Sequence, residues 1–443
     1  GTHQAAFREA IAKTIKEFLV PPIIYIKVEL HDEYLKIADK LPKHVYRDAA
    51  KGKQSFEIEF ENVYDRDKAR TVLAEANIRF RTGKALVPFR ISGNVEWGVP
   101  VPEIEGVDGL TVWCWPESLW APLSFTMARN DDRGLSRAAW RSFWCDKDAT
   151  VYQFIGQDNI YFYCVAQPAM WEAMGWGLKQ TTPVANYHVL FMNKKASSSG
   201  AIKPPMAAEL LDHYTPEQLR AHWLSLALDA KAVSFSPKPY DTSVSHKDKK
   251  TGEEVLVKDD PRVVDPALKE SAFLTNIFNR LARSCFYGAA KACGGKLPAV
   301  AASAEVAEEC RRVTLEFERT VHDLDFHGAL AGVEEFCRAA NKRWDGASKA
   351  AGDDADAYVA ALADAFAALR TTALLMHPAV PAGCELVAEH MGFAAHDFFS
   401  WEHALATPRE LASALGENPD EHAIVELPPR FDFFRKHESQ YKK

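Results

Sequence analysis

Thr150-Val151-Tyr152-Gln153-Phe154-Ile155-Gly156-Gln157-Asp158-Asn159-Ile160-Tyr161-Phe162 is a β-rich run that breaks at a glycine and continues in a helical pattern. It reads as a strand from Thr150 to Ile155, a tight turn, and a helix from Asp158 towards Met174. Glycine at 156 permits the turn and the close approach of a ligand. The junction where a strand ends and a helix begins is where α/β folds hold nucleotides. Further strands are predicted at Leu110–Trp113 and Tyr187–Met192, with a helix near Met206–His213. This β-α-β-α alternation predicts parallel sheet with crossover helices, part of a doubly wound fold rather than the whole of one.

Towards the N-terminus, Phe7, Ile11, Ile15 and Leu19 recur at four-residue spacing and predict an amphipathic helix. Ile23–Val28 and Ser55–Phe60 are β-rich, and in the second Phe56, Ile58 and Phe60 alternate with glutamates. Asp65–Glu75 is helical with Asp65 as its N-cap. With strands at Ile78–Arg81 and Ala85–Phe89, residues 1–92 form a small α+β lobe. Residues 93–237 form the α/β region, and 238–264 are polar, without apolar period, and read as a linker. From 265 to 443 the chain is rich in Ala and Leu. Helices at Ala267–Lys291, Ala304–Val321, His327–Arg343, Asp354–Leu374 and Pro381–Met391 predict a bundle. Val425–Phe434 is an extended tail expected to pack back on the body.

A chain of 443 residues has room for two or three domains, and 47% hydrophobic with 26% charged residues is the balance of an ordinary globular protein. No uninterrupted apolar run reaches the roughly 18 residues of a membrane span, so no membrane partner is expected. The eight cysteines stand singly with no Cys-x-x-Cys. That pattern predicts reduced thiols in the cytoplasm and no zinc or other metal site in this chain. A net charge of −8 speaks against a generic nucleic-acid binder. It leaves room for a protein with basic residues along one contact surface only.

Three segments, in this order, resemble the methionyl-type class I aminoacyl-tRNA synthetases. Gly93-Asn94-Val95-Glu96-Trp97-Gly98-Val99-Pro100-Val101-Pro102 is similar to the family's R-D-x-x-W-G-I-P-V-P, and Thr111-Val112-Trp113 to the Y-V-W strand that follows it. Phe154–Phe162 is close to F-I-G-K-D-I-x-Y-F. Lys194-Lys195-Ala196-Ser197-Ser198-Ser199 stands at the place of the K-M-S-K-S loop, trailed by Tyr214–Arg220. Asn279-Arg280-Leu281-Ala282-Arg283 fits the N-x-x-x-R of the first bundle helix. The likeness runs from about Ala85 to the C-terminus.

The resemblance implies a fold and a chemistry. The fold is α/β plus all-α: the second half of a class I Rossmann-type catalytic domain, then a helical anticodon-binding domain, with the small lobe in front. The chemistry is methionine activation by ATP with Mg2+, then transfer to tRNA. Activation needs positioning and charge stabilisation rather than a protein nucleophile. By resemblance Lys195, Ser197 and Ser199 would stabilise the pyrophosphate as charge builds. Gly156 and Asp158 would meet the nucleotide; the plain alternative for Asp158 is a helix cap worth ~1 kcal/mol. Trp113 and Tyr163 would line the methionine pocket, an aromatic wall suiting a thioether, with core packing the alternative for Trp113. Asn279 and Arg283 would read the anticodon by hydrogen bonding and stacking, or form an ordinary solvated face.

The sequence departs from the family in places. Tyr163 replaces a histidine, Cys114-Trp115-Pro116-Glu117 replaces F-D-A-P, and Ser198 replaces the second loop lysine. No His-x-x-His or His-x-Gly-His occurs among the 15 histidines. A separate chain or a missing segment is therefore expected to supply the half that carries H-I-G-H. The competing readings are a non-catalytic tRNA-binding relative and a class I ligase for another apolar amino acid.

Overall fold

The computed structural model describes residues 22–61, 63–82, 92–93, 97–101, 111–112, 114, 118–179, 181–195, 203–241, 245–260 and 262–441. They fall into two compact units divided between Val184 and Ala185, inside the stretch that the sequence reads as one α/β region.

The first unit opens with a small lobe: β1 (Ile23–Lys27), α1 (His31–Leu35), β2 (His44–Arg47), β3 (Ser55–Phe60), α2 (Val63–Glu75) and β4 (Phe80–Arg81). The strands form one antiparallel sheet in the order β2-β3-β1-β4. This strand–helix–strand–strand–helix–strand order is the split βαβ arrangement. The two-residue period of β3 decides its register. Phe56, Ile58 and Phe60 are buried with Ile24 and Ile26 of β1, and with Ala69 and Leu73 of α2. Glu57 and Glu59 fall on the opposite face. The predicted helix to Leu19 and strand Ala85–Phe89 lie outside the described residues.

Beyond the lobe, β5 (Ser92–Gly93) pairs antiparallel with β6 (Thr111–Val112). Helices α3 (Ala121–Asp132) and α4 (Trp140–Trp144) come next, then β7 (Tyr152–Gly156) and α5 (Gln167–Met174). Leu123, Trp140, Trp144 and Trp171 make a small aromatic core here. β7 pairs with β8 (Thr182–Asn186).

In the second unit β9 (Val189–Phe191) runs parallel to β11 (Val233–Phe235), with β10 (Lys194–Lys195) antiparallel on the other edge. The crossover between β9 and β11 carries α6 (Ala207–Leu210) and α7 (Pro216–Ser225). Thr215 and Gln218 close a reciprocal capping box at the start of α7, with Pro216 in the first turn. Among the described residues the one registered parallel pair is β9 with β11. Of the parallel sheet with crossover helices expected from the alternation, the described residues show sheets of two and three short strands. The stretch read as a linker is also corrected. Ser245–Lys247 (β12) and Glu254–Leu256 (β13) form a hairpin, held by polar rather than apolar contacts. Arg262 reaches Asp260 and Asp248, each at 2.9 Å. Its guanidinium holds the Asp260 carboxyl well below the usual range.

From Pro266 to Ala414 the chain is mainly helical, as predicted, and it ends in the extended tail. α8 (Pro266–Ala272) passes through a wide π-type turn, Phe273–Phe278, into α9 (Asn279–Ala292). Then come α10 (Ala304–His322), α11 (Phe326–Ala351), α12 (Ala355–Met376) and α13 (Pro381–His390). α12 is long and apolar enough to cross a membrane by composition, but 78% of that window is buried within the molecule. It is the central helix of the bundle core.

Candidate functional site

The glycine turn after β7 is set by local packing. Thr182 N–H donates to the Val151 carbonyl, and beneath the strand lies a buried polar network. The Gln153 amide donates to Gln167 Oε1 at 2.7 Å and Thr181 Oγ1 at 2.6 Å, while Gln167 donates to the Leu119 carbonyl. These bonds tie β7 to α5, so the turn between them is held from below. A Cβ placed on Gly156 would sit 2.6 Å from Asp158 Oδ1. The missing side chain thus makes room for the Asp158 carboxylate. Gly156 is itself the N-cap residue of the short 3-10 turn Gln157–Asn159, and no side chain caps that turn. Asp158 lies inside that turn and is exposed, and it makes no cap bond to it.

The backbone then widens into a π-type turn, Phe162–Ala166, which contains the half-buried Tyr163. Such turns recur at functional sites because they re-aim side chains by one position. Cys164 beside it is buried, and burial pushes its thiol up to about 12. It is not a nucleophile at neutral pH.

Lys195 ends the hairpin β9–β10 in the second unit. Met192 and Asn193 join the strands with φ of 52° and 61°. Two consecutive left-handed residues are the signature of the two-residue turn that matches strand twist. Asn tolerates this conformation readily and Met does not, so the turn is pinned from outside. Met192 N–H donates to the Phe235 carbonyl and Asn193 N–H to Ser234 Oγ, both on β11. Lys194 and Lys195 are exposed, and the Lys195 ammonium has no partner among the described residues. The sequence signal for this device was Asn193; its anchor, Ser234, lies 41 residues away and was missed.

The structure corrects the reading of α9. Asn279 is fully buried rather than on a solvated face. Its side-chain amide donates to the carbonyls of Phe434 (2.8 Å) and Thr275 (3.1 Å), and its Oδ1 accepts from Phe434 N–H at 3.0 Å. With its donors and acceptor so engaged, it clamps the tail and has no free edge to offer an RNA base. Arg283 donates to Asp432 Oδ1 at 2.8 Å, both side chains being 35% exposed. Tyr287 Oη adds a bond to the Pro428 carbonyl. The expectation that Val425–Phe434 packs back is met, on the residues that the sequence assigned to RNA.

Two substitutions test this clamp. Asn279→Ala leaves both backbone groups of Phe434 without partners, a cost of about 2–3 kcal/mol. Limited proteolysis is expected to cut the variant near residues 425–441 before the parent. Gly383→Ala acts on the same tail from the other side. Its Cβ would lie 2.2 Å from the Phe434 ring, so the ring must leave its pocket. Faster hydrogen exchange at Phe433 and Phe434 reports this.

Of the other assigned residues, Trp113, Ser197 and Ser199 lie outside the described residues. Among the described residues no three His, Cys, Asp or Glu side chains converge on a point that would hold a metal ion.

Residues 42–246 match the family model described as tRNA synthetases class I (M). The methionine–tRNA ligase of Methanoculleus marisnigri is 25% identical over 332 residues, covering 74% of this chain and 44% of that protein. That of Pyrobaculum aerophilum is 26% identical over 349 residues, covering 75% and 54%. That of Sulfurisphaera tokodaii is 35% identical over 120 residues, covering 27% and 21%. The chain thus spans about half, or less, of these relatives' length. In fold it is similar to Mycobacterium tuberculosis methionyl-tRNA synthetase bound by methionyl-adenylate. The TM-score is 0.54 at 20% identity, over 84% of this chain and 63% of that one. A second structure of that protein in complex with methionyl-adenylate gives 0.54 at 18% identity, over 98% and 81%.

Proposed function

We propose, from the premise that this chain is a methionyl-tRNA synthetase-like class I synthetase, that it works in ATP-dependent methionine–tRNA ligation. It carries the charge-stabilising loop, part of the nucleotide and amino-acid site, and a helical tRNA-binding region. The reaction is two displacements. The methionine carboxylate attacks the α-phosphorus of ATP, the bond to pyrophosphate breaks, and an adenylate forms. A terminal hydroxyl of tRNA then attacks the methionyl carbonyl, and AMP leaves.

The observation that carries this reading is the exposed Lys195 at the mouth of the loop, on a hairpin pinned to its neighbour strand. A cation so placed can track the pyrophosphate oxygens as their charge grows, while the pinned turn limits the entropy it must lose. Ser197 and Ser199 add hydroxyl donors. Asp158, exposed on the glycine turn, accepts from ribose hydroxyls, and Gly156 lets the nucleotide approach. Trp113 and Tyr163 wall the methionine side chain. Arg283 meets tRNA by exchanging Asp432 for a phosphate or base; Asn279 supports the tail that carries Asp432. The eight cysteines, all free, suit a reducing cytoplasm.

Amino-acid-dependent ATP–pyrophosphate exchange tests the assignment. With a class I segment bearing His-x-Gly-His supplied in trans, methionine is expected to support exchange, with leucine and valine at least about tenfold poorer. Equal rates with leucine would assign the pocket to another apolar amino acid.

A further inference from the structure

We propose that the outward face of the N-terminal sheet is a separate RNA-binding surface, which takes single-stranded RNA by stacking a base on Tyr25. The β2-β3-β1-β4 order puts β1 and β3 side by side at the centre. The lobe's helices cover one face, where Ile24, Ile26, Phe56 and Ile58 are buried. The strand alternation sends Tyr25 and Lys27 of β1, Glu57 and Glu59 of β3, Arg47 of β2 and Arg81 of β4 to the other. Register fixes their neighbours: Tyr25 stands opposite Glu57 on one side and Arg81 on the other. Lys27, Arg47 and Arg81 are exposed and Tyr25 is half-buried.

RNA-recognition domains use a four-stranded sheet from which aromatic side chains stack on unpaired bases. In this lobe the outward positions of β3 are Ser55, Glu57 and Glu59, so Tyr25 is the stacking ring of the described face. The charges around it select the ligand. Arg47 neutralises Glu59, with Nε 2.9 Å from Oε2. Glu57 keeps a carboxylate beside the Tyr25 ring, where it raises the phenol pKa after burial has done so first. A carboxylate there repels phosphate but accepts hydrogen bonds from base amino groups. Outside it lie Lys27, which pairs with Glu29 at 3.3 Å across an exposed contact, Arg81 and, in the β2–β3 turn, Lys51 and Lys53. A strand with bases inward on Tyr25 and Glu57 and phosphates outward on these cations fits that pattern. A duplex, which presents phosphate continuously and hides its base faces, does not. The lobe is near neutral, in contrast to the acidic chain as a whole. Residues 22–82 carry twelve Lys and Arg against eleven Asp and Glu, in a chain of net charge −8. This site rests on the lobe alone and is independent of methionine activation.

The test is fluorescence anisotropy of the full chain with a labelled, unstructured 12-nucleotide RNA. Tyr25→Ala is expected to weaken binding by about fivefold or more, the loss of one base–aromatic stack, and Tyr25→Phe to leave it within about twofold. Arg81→Glu should weaken binding and lower its salt dependence by about one released counterion. Circular dichroism melting confirms that each variant is folded, and ultraviolet crosslinking should map to β1. The proposal is overturned if folded Tyr25→Ala binds like the parent, the result expected of a face that docks protein. It is equally overturned if an RNA duplex competes as well as the single strand, or if crosslinks fall on the helical region alone.

Discussion

Replacing Lys195 by alanine is expected to lower methionine-dependent ATP–pyrophosphate exchange by about 100- to 1,000-fold, the loss that accompanies removal of one preorganised donor to developing charge. Affinity for tRNA should stay within about twofold. The contrast comes from position. Lys195 is exposed at the end of a two-residue strand whose turn is fixed to β11 by Asn193 and Met192. Its removal disturbs no core and no bond that holds the bundle. Lys195→Arg keeps the charge but spreads it over a planar fork, and should recover part of the rate. Steady-state exchange and filter binding of tRNA, measured on the same preparations, separate the two effects. Unchanged exchange in the alanine variant would remove the loop from the mechanism.

Arg370→Met is expected to cost the bundle about 3–5 kcal/mol, the range for stranding buried polar partners. Arg370 lies at 0% exposure in the middle of α12. It donates to the carbonyls of Ala406 (2.7 Å), His403 (2.9 Å) and Phe398 (3.2 Å), and its guanidinium lies 5.3 Å from the Phe398 ring centre. One side chain thus satisfies the carbonyls of a loop beyond α13. Methionine fills the volume and satisfies none of them. Burial draws the Arg370 pKa down to about 10, still far above neutrality. The depressed group changes stability only in strongly alkaline solution, where stability would rise with pH, and gives no slope near pH 7. Denaturant unfolding at pH 7 measures the loss. A change under about 1 kcal/mol would mean that water replaces the guanidinium among those carbonyls.

Where local pattern decided the structure, the sequence was legible. β3 has a two-residue period from Ser55 to Phe60 and was read to the residue. Four of the bundle helices start at side chains that cap them, Asp265, Ser303, Asp325 and Asp354, and these ends were read within one or two residues. Asn279 was misplaced for two reasons that no local window holds. The π-type turn Phe273–Phe278 rotates α9 relative to a helical wheel drawn through Leu274 and Phe278. The tail that buries Asn279 also arrives from 155 residues away. The hairpin Ser245–Leu256 escaped because its strands are polar and are fastened by Arg262, Asp248 and Asp260 instead of an apolar stripe. The order of the glycine turn, the lysine loop and the helical region was visible in the sequence. The pinning of Lys195 by Ser234 and the engagement of Arg283 with Asp432 belong to tertiary structure.

The most direct test of the central claim is methionine-dependent ATP–pyrophosphate exchange by this chain, with and without a class I segment bearing His-x-Gly-His supplied in trans. Exchange that requires both pieces, and that falls by about 100-fold or more with Lys195→Ala, is the predicted result. Silence in both conditions from a folded chain that still binds tRNA would contradict the account and leave an RNA-binding protein that does not activate methionine.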